Sequence, residues 1–478
     1  MRQKVAQGFT WVSLGQIISQ VIQFVSAIIL ARLLLPEHFG TITTAYIYIK
    51  CIQVLLQGFG LPEALVQNDD TDERHLVTAF SSYLASATVA ALITVIVAPF
   101  IAGFFHNPPL TAILRVLSVT FVFDSLTSIF EAVISRKLAY KRLVIPQVAG
   151  VIVYGVAGGG IAFLTRNVWS LVWALVLKSA VLCLLSWRAS EWKPALGFEA
   201  GRLKEMLRFG KNVFGAEILN YIGANLDFLI ISKFLGVAAM GYYYFAYSVS
   251  NYFYYQAAPV FYRVLFPALS RMRDENALFG EFYLKVIQGM ALLSVPLHLA
   301  VCVNATDVIL FLFGGKWLNA ADALRILCVN GLLQTLRRGI IRAIFYAKGR
   351  PDLTWRWGVF YCLVSCSAIL IGRRYGIAGI AAAVTLAELI YFPVIITATN
   401  RLIGVSAKIY LRNVWPVIAA STVMVLCLLG MNAVFPVTMG YFLLKMSVAG
   451  VIYVLALRIS RFPLGEKLKF VYRTACSA

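Results

Sequence analysis

The sequence predicts an all-α integral membrane protein with about fourteen transmembrane helices. Of its 478 residues, 60% are hydrophobic and only 13% are charged, whereas a soluble domain is about half apolar and a quarter charged. Long apolar runs recur from one end of the chain to the other, and about 20 such residues cross a bilayer as a helix. Spanning β-strands would show short alternating segments instead, so the continuous runs indicate helices.

The apolar runs place the spans, in chain order, at about residues 9–34, 42–66, 77–104, 111–134, 144–165, 168–188, 211–232, 238–262, 283–304, 320–346, 355–373, 377–399, 411–432 and 436–458. The longest connection, 189–210, is polar and basic and lies midway along the chain. The predicted domains are therefore an N-lobe (1–190, spans 1–6), a cytoplasmic linker (191–210), a C-lobe (211–404, spans 7–12) and a C-terminal part (405–478) that holds two further spans and a tail.

The net charge of +21 does not indicate nucleic-acid binding, because the basic residues lie in short loops between apolar runs. Such loops mark the cytoplasmic side and attract anionic membrane lipids. With the N-terminus inside, the inner connections contain 27 Lys and Arg and the outer ones contain 6, which predicts that both termini are cytoplasmic. One inner loop, Gln67–His75, is acidic and does not follow this charge bias, but acidic residues contribute little to the rule.

The cysteines and histidines give no indication of a metal or cofactor site, and neither is expected. The eight cysteines are scattered, mostly inside spans, and the four histidines lie far apart. Cys362 and Cys366 are the closest cysteines, but no second pair accompanies them at a metal-binding spacing, so the cysteines are interpreted as small apolar side chains.

One segment occurs twice. "ARLLLPEHFGTITTAY" (Ala31–Tyr46) matches "SKFLGVAAMGYYYFAY" (Ser232–Tyr247) at an offset of 201, which aligns Gly40 with Gly241. Further along, "LRVLSV" matches "LRILCV" at an offset of 210, and "NVWSLVWA" matches "GIAGIAAA" at 209. Ordered matches at nearly one offset predict a duplication. Each copy holds six spans, so the two lobes are predicted to be parallel repeats, an architecture of secondary transporters with the substrate site between the halves.

Polar stripes run along spans 1, 2, 7 and 8, at corresponding places of the two copies. In span 1, for example, Gln16, Gln20 and Gln23 recur at helical spacing. Unpaired polar groups in hydrocarbon are costly, so the stripes face one another or water. The stripes either line a hydrated cavity or form interhelical hydrogen bonds that hold the bundle together. The presence of ionisable residues in the stripes favours the first interpretation. The predicted cavity residues are Gln16, Gln20, Gln23, Lys50, Gln53, Gln57, Glu217, Asn220, Asp227, Tyr247, Asn251 and Tyr254.

Acidic and basic residues occupy matching spans 4 and 10. The predicted inter-helix ionic group consists of Asp124, Glu131, Arg337 and Arg342. Arg338 lies on the same helix face as Arg342, and guanidinium groups bind diphosphate well. Arg342 can alternatively reach lipid headgroups from the membrane edge. The tyrosines of span 8 suit a ligand with both apolar faces and hydroxyls, such as a sugar.

Four segments resemble signatures of the polysaccharide transporter, or Wzx-like flippase, family of the MOP transporter superfamily. They are "ARLLLPEHFG", "SRKLAYKRL", "NLDFLIISKFLG" and "FGGKWLNAADALRIL", and the resemblance extends over essentially the whole chain. Colanic-acid and succinoglycan-type exporters are the most similar members. Leu35 departs from the pattern, because the family usually has Gly there, as Gly236 is in the second copy.

The resemblance implies a flippase, not an enzyme, that moves an undecaprenyl-diphosphate-linked oligosaccharide across the bacterial inner membrane by alternating access, for exopolysaccharide or lipopolysaccharide synthesis. It also implies that helices 1, 2, 7 and 8 line the cavity. In this interpretation Lys50 and Arg338 bind the diphosphate, and Asp227 or Glu217 binds a coupling ion. The partners would be the lipid-linked substrate and the polymerase and export machinery of the same pathway.

Two alternatives stay open. A cation-coupled multidrug exporter of the same superfamily would have an acidic cavity suited to cationic substrates, which Lys50 disfavours. A membrane polysaccharide polymerase would be an enzyme with a large outer loop, which the short connections disfavour.

Overall fold

The computed structural model describes residues 2–57, 65, 72–137, 139–273, 275–435 and 438–460. Within these residues every regular element is a helix. The helices, in chain order, are α1 Arg2–Leu33, α2 Pro36–Gln57, α3 Glu73–Phe104, α4 Leu110–Leu117, α5 Val119–Arg136, α6 Tyr140–Thr165, α7 Trp169–Ser190, α8 Ala200–Phe234, α9 Gly236–Ser250, α10 Tyr252–Arg271, α11 Asn276–Val303, α12 Ala305–Leu312, α13 Ala321–Ala347, α14 Pro351–Gly372, α15 Gly376–Ile403, α16 Ala407–Val434 and α17 Met439–Ile459. Short 3₁₀ helices lie at Gly315–Ala320 and Arg373–Tyr375.

The chain is a multi-pass membrane protein. Ten stretches of the described residues are long and apolar enough to cross a bilayer, and one of them, Asp352–Ile403, contains both α14 and α15. Large apolar side chains are exposed along their outer faces. On α3, for example, Leu92, Ile96 and Phe100 recur every four residues and are 60–74% exposed, which is the pattern of a helix that faces lipid.

The helices form two compact units, Met1–Gly241 and Tyr242–Ala478. In the first unit, α1 packs on α6, α6 on α7, α5 on α7, α3 on α5, and α2 on α8. In the second unit, α14 packs on α15, α13 on α15, α11 on α13, α10 on α13, and α16 on both α11 and α17. This division by internal packing does not test the lobe boundaries that the sequence repeat predicts, so those boundaries stay predictions.

Part of the internal packing of the two units follows one pattern. The pairs α3–α5, α5–α7 and α6–α7 of the first unit correspond, in span order, to α11–α13, α13–α15 and α14–α15 of the second. A duplicated six-helix segment would produce this correspondence, because each copy has the same helix order and therefore the same neighbours.

The repeated segments contact each other through their aligned glycines. A Cβ on Gly40 would lie 1.7 Å from the carbonyl O of Val237, and a Cβ on Gly241 would lie 2.0 Å from that of Pro36. Pro36 and Val237 are themselves 201 positions apart, so each copy makes the same backbone contact to the other. Only glycine allows so close an approach. This reciprocal contact, which lies within the first unit, explains why both copies keep a glycine here.

Two of the predicted spans are broken helices. Span 4 divides into α4 and α5 at Ser118, and span 8 divides into α9 and α10 at Asn251. The side-chain amide of Asn251 donates to Tyr247 O at 3.2 Å, and His298 Nε2 of α11 lies 3.1 Å from Ser250 O. Polar side chains thus bond the backbone around the break at Asn251.

The connection before α8 packs against the start of α3. The backbone N–H of Gly197 donates to Ser81 Oγ at 3.0 Å. Asp72 caps α3 by accepting from the backbone N–H of His75 at 3.0 Å, and Arg202 of α8 forms an ion pair with Asp72 at 2.9 Å. That backbone hydrogen bond and the nearby guanidinium lower the pKa of the Asp72 carboxyl, so the cap stays ionised at neutral pH.

Buried polar contacts attach α16 and α17 to the second unit. Gln288 Nε2 donates to Asn413 O at 2.9 Å, and Asn413 Nδ2 donates back to Leu284 O at 2.6 Å. Lys445 of α17 pairs with Asp307 of α12 at 3.1 Å, with both side chains buried. The helices α16 and α17 are therefore fixed to the second unit by specific bonds and not by apolar contact alone.

Candidate functional site

The first unit contains a polar group on α2, α5 and α7. Gln53 is 3% exposed, and its Nε2 donates to Asp124 Oδ2 at 2.5 Å. One turn earlier on α2, Lys50 Nζ lies 5.4 Å from the centre of the Tyr46 ring. Lys178 of α7 is close enough to interact electrostatically with both Lys50 and Asp124. Lys50, Asp124 and Lys178 are called the first ionic group below.

Glu131, the other acidic residue of span 4, has a separate partner. Its Oε1 accepts from Gln147 Nε2 of α6 at 2.9 Å. The two carboxylates of α5 thus bond two different neighbouring helices, since Asp124 bonds α2 and Glu131 bonds α6.

The second unit contains a buried ion pair between α13 and α15. Arg337 Nε and a terminal guanidinium nitrogen donate to the two carboxylate oxygens of Glu388 at 2.5 and 2.7 Å, and the Glu388 side chain is 0% exposed. The Arg337 guanidinium also lies 4.8 Å from the Tyr391 ring and 5.3 Å from the Tyr361 ring. A bidentate pair with cation–π contacts satisfies both charges in a site that excludes water.

Arg338, the next residue of α13, does not share that carboxylate as an ion pair. Its guanidinium lies 5.7 Å from the Tyr254 ring of α10, with Tyr247 and Tyr361 also close. Among the described residues, no carboxylate lies within ion-pair distance of Arg338 or of Lys50. We call Arg337, Arg338 and Glu388 the second ionic group.

The two ionic groups have the same composition. Each consists of two cations and one carboxylate, which lie on α2, α5 and α7 in the first unit and on α13 and α15 in the second. In each group one cation, Lys50 or Arg338, has no carboxylate within ion-pair distance among the described residues and lies near a tyrosine ring. A cation of this kind can receive an anionic group from a ligand.

The other predicted cavity residues differ in exposure. Gln16, Gln20 and Tyr254 are half-buried, and Gln23 is exposed. Asp227, Tyr247 and Asn251 are buried. The side chains of Gln57, Glu217 and Asn220 lie outside the described residues.

Arg342 is exposed, and its guanidinium lies 5.5 Å from the Tyr346 ring of the same helix. Arg337, by contrast, is buried, although the two arginines are only five positions apart on α13.

Sequence reasoning missed several members of the ionic groups. Lys178 and Glu388 each lie inside an otherwise apolar run, and an ionisable residue within a span is by default a functional candidate. That signal was present in the sequence. The aromatic partners Tyr361 and Tyr391 carried no comparable signal, because tyrosine is common throughout the chain.

The comparisons with known proteins agree with this architecture. The family model described as "Polysaccharide biosynthesis protein" matches residues 29–322. The chain is 25% identical over 427 residues to the lipopolysaccharide biosynthesis protein WzxC of Escherichia coli, covering 87% of this chain and 85% of WzxC.

Two solved structures have a similar fold. The lipid II flippase MurJ, in an inward closed conformation, superposes with a TM-score of 0.78 at 14% identity, covering 95% of this chain and 99% of MurJ. An inward-facing multidrug resistance MATE family transporter of the MOP superfamily superposes with a TM-score of 0.61 at 14% identity, covering 82% of this chain and 98% of the transporter. The resemblance inferred from the sequence motifs is confirmed, and the chain belongs to the polysaccharide biosynthesis protein family.

Proposed function

We propose that this protein is a flippase that moves an undecaprenyl-diphosphate-linked oligosaccharide across the bacterial inner membrane, by alternating access, for exopolysaccharide or lipopolysaccharide synthesis. The observation that carries the proposal is the pair of cations, Lys50 on α2 and Arg338 on α13, neither of which has a carboxylate within ion-pair distance among the described residues. A diphosphate is the part of such a substrate that needs cationic partners within the membrane. The family and the name of WzxC support a role in polysaccharide synthesis.

In this proposal the polar stripes line one hydrated cavity. Lys50 and Arg338 hold the diphosphate, while Gln16, Gln20 and Tyr254 contact sugar hydroxyls and C–H faces. The lipid tail stays in the bilayer. Asp227 or Glu217 binds a coupling ion, because a carboxylate at membrane depth can change its charge with conformation. The protein contributes binding and movement and no bond-making chemistry.

The proposed topology has fourteen spans, in two parallel six-helix lobes followed by two C-terminal helices, with both termini in the cytoplasm. The stretches α8, α9–α10 and α13 are not among the ten apolar candidates, yet they correspond to spans 7, 8 and 10. Their polar content explains this, because helices that line a hydrated cavity need fewer apolar residues than helices that face lipid on all sides.

Replacement of either cation should strongly reduce polymer export. Lys50→Ala and Arg338→Ala each remove a charge-assisted bond to the diphosphate, with an expected loss of about 1.5–3 kcal/mol of binding, or roughly 10- to 100-fold in transport. The measurement is polymer output from cells that carry each variant as the sole copy. Lys50→Arg, which keeps the charge, should retain most of the output.

Membrane insertion of every variant is checked by its amount in the membrane fraction. Normal polymer output from inserted Lys50→Ala and Arg338→Ala proteins would contradict the proposed role of these residues.

A further inference from the structure

A second candidate site lies on the first unit. It is a cavity of about 310 Å³ between α2, α3 and α8. We call it the aromatic groove, and its lining residues are Thr44, Ile47, Tyr48, Cys51, Phe100, Ile101, Phe104, Phe105, Tyr221 and Leu229. Five of these ten residues are aromatic. The volume falls within the range of small-molecule sites, so the groove can hold a length of hydrocarbon chain.

The groove opens toward lipid. Phe100 and Phe104 at its edge are 74% and 56% exposed, and Phe100 belongs to the exposed apolar stripe of α3. A lipid chain in the bilayer can therefore enter the groove from the side without crossing a polar surface.

The polar atoms of the groove are already bonded to the protein. Tyr221 OH donates to Ile47 O at 2.7 Å, and Tyr48 OH lies 3.3 Å from Thr94 Oγ1. Thr44 Oγ1 donates to Gly40 O at 2.9 Å and lies 2.9 Å from Ser232 Oγ. Water in the groove would find few partners, and a cavity of this kind stays dry and binds apolar ligands.

A lysine, Lys233, lies at one end of the groove, beside Phe104. Lys233 Nζ lies 4.2 Å from the centre of the Phe104 ring and donates to Phe104 O. Of its three N–H donors, two have no acceptor among the described residues. Among the described residues, no carboxylate lies within ion-pair distance of Lys233. The groove thus combines an apolar channel with a positive end, and its complement is a hydrocarbon chain that carries an anionic headgroup.

We propose that the aromatic groove binds the isoprenoid chain of the lipid-linked substrate on the outer side of the membrane, with Lys233 holding its diphosphate. The proposal rests on the proposed function and its topology, in which the C-terminal ends of α3 and α8 are periplasmic. An isoprenoid chain is favoured over a saturated acyl chain because its flat double bonds stack on aromatic rings. The site would hold the lipid after its sugar headgroup has left the cavity.

The test is protection of Cys51, a lining residue with a free thiol. The wild-type chain in phosphatidylcholine nanodiscs is alkylated with N-ethylmaleimide, with and without undecaprenyl diphosphate, and each cysteine is followed by mass spectrometry. The lipid, at a concentration about ten times its Kd, should slow alkylation of Cys51 by about tenfold. Cys302, which lies on α11 in the second unit, is an internal control whose alkylation should not change.

Variants separate the chain from the headgroup. Leu229→Trp should fill the groove and remove the lipid-dependent protection, whereas Leu92→Trp, on the lipid-facing stripe outside the groove, should keep it. Lys233→Ala should raise the lipid concentration needed for half-protection by about tenfold, and Arg32→Ala, an exposed cation elsewhere, should leave it unchanged. Because the wild-type measurement needs no substitution, a variant that fails to fold does not remove the test.

Three results would overturn the proposal: no protection of Cys51 by undecaprenyl diphosphate, equal protection by phosphatidylglycerol, or full protection of folded Leu229→Trp. Translocation of a lipid-linked oligosaccharide is measured separately on the same protein. Translocation without protection of Cys51 rejects the groove alone, and protection without translocation rejects the flippase function alone.

Discussion

Replacing Glu388 with alanine should lower the free energy of unfolding by about 3–5 kcal/mol, because it leaves the buried Arg337 charge without its carboxylate. Glu388 is completely buried and accepts two hydrogen bonds from one guanidinium. The measurement is thermal or denaturant unfolding of the purified protein in detergent micelles. A loss near the lower end of this range would reflect residual stabilisation of Arg337 by the rings of Tyr361 and Tyr391.

The control for this prediction replaces the whole pair. Arg337→Met with Glu388→Met removes both charges and keeps the volume, so it should be far more stable than Glu388→Ala. An unfolding midpoint of Glu388→Ala equal to that of the wild type, or a double variant as unstable as the single one, would contradict the buried ion pair.

Gly40→Ala and Gly241→Ala should each destabilise the first unit by about 3 kcal/mol, the upper part of the usual range for overpacking. In both cases the new methyl group would overlap a backbone carbonyl of the other copy of the repeat, at 1.7 and 2.0 Å. A backbone atom cannot rotate away as a side chain can, so the two segments must separate. The measurement is the unfolding midpoint in detergent.

Gly160→Ala is the matched control for the glycine variants. A Cβ on Gly160, in the interior of α6, would meet no atom within 4 Å, and alanine is the better helix former. This variant should be as stable as the wild type or slightly more stable. Equal stability of Gly40→Ala, Gly241→Ala and Gly160→Ala would contradict the reciprocal contact of the repeated segments.

Helix type and the approximate positions of the spans could be predicted from the sequence, because each apolar run carries its own information. Asp124 and Gln53 were both recognised as polar groups within spans, and the structure joins them in one hydrogen bond. Their pairing could not be predicted, because the sequence gives the face of each helix but not the rotation of one helix against another. Arg337 was named as well, but its partner Glu388, 51 positions away, was missed, although an ionisable residue within a span is a signal that the sequence shows.

The helix breaks could not be predicted either. Nothing in the apolar pattern distinguishes Ser118 or Asn251 from a residue within a continuous helix, because the carbonyl groups freed at the second break are bonded by side chains from elsewhere in the chain, such as His298. The early start of α8 at Ala200 has a local cause. Leu203, Met206 and Leu207 recur at helical spacing and pack under α3 and α5, so the helix extends into a stretch that polar composition marks as a linker.

Translocation by the purified protein in sealed vesicles is the most direct test of the account. The vesicles carry an undecaprenyl-diphosphate-linked oligosaccharide with a fluorescent sugar, and a membrane-impermeant quencher reports how much of it faces outward over time. The wild-type protein should exchange the lipid between leaflets much faster than protein-free vesicles, and the Lys50→Ala, Arg338→Ala double variant should approach the protein-free rate. Exchange by the wild type at the protein-free rate, under every imposed ion gradient, would contradict the account.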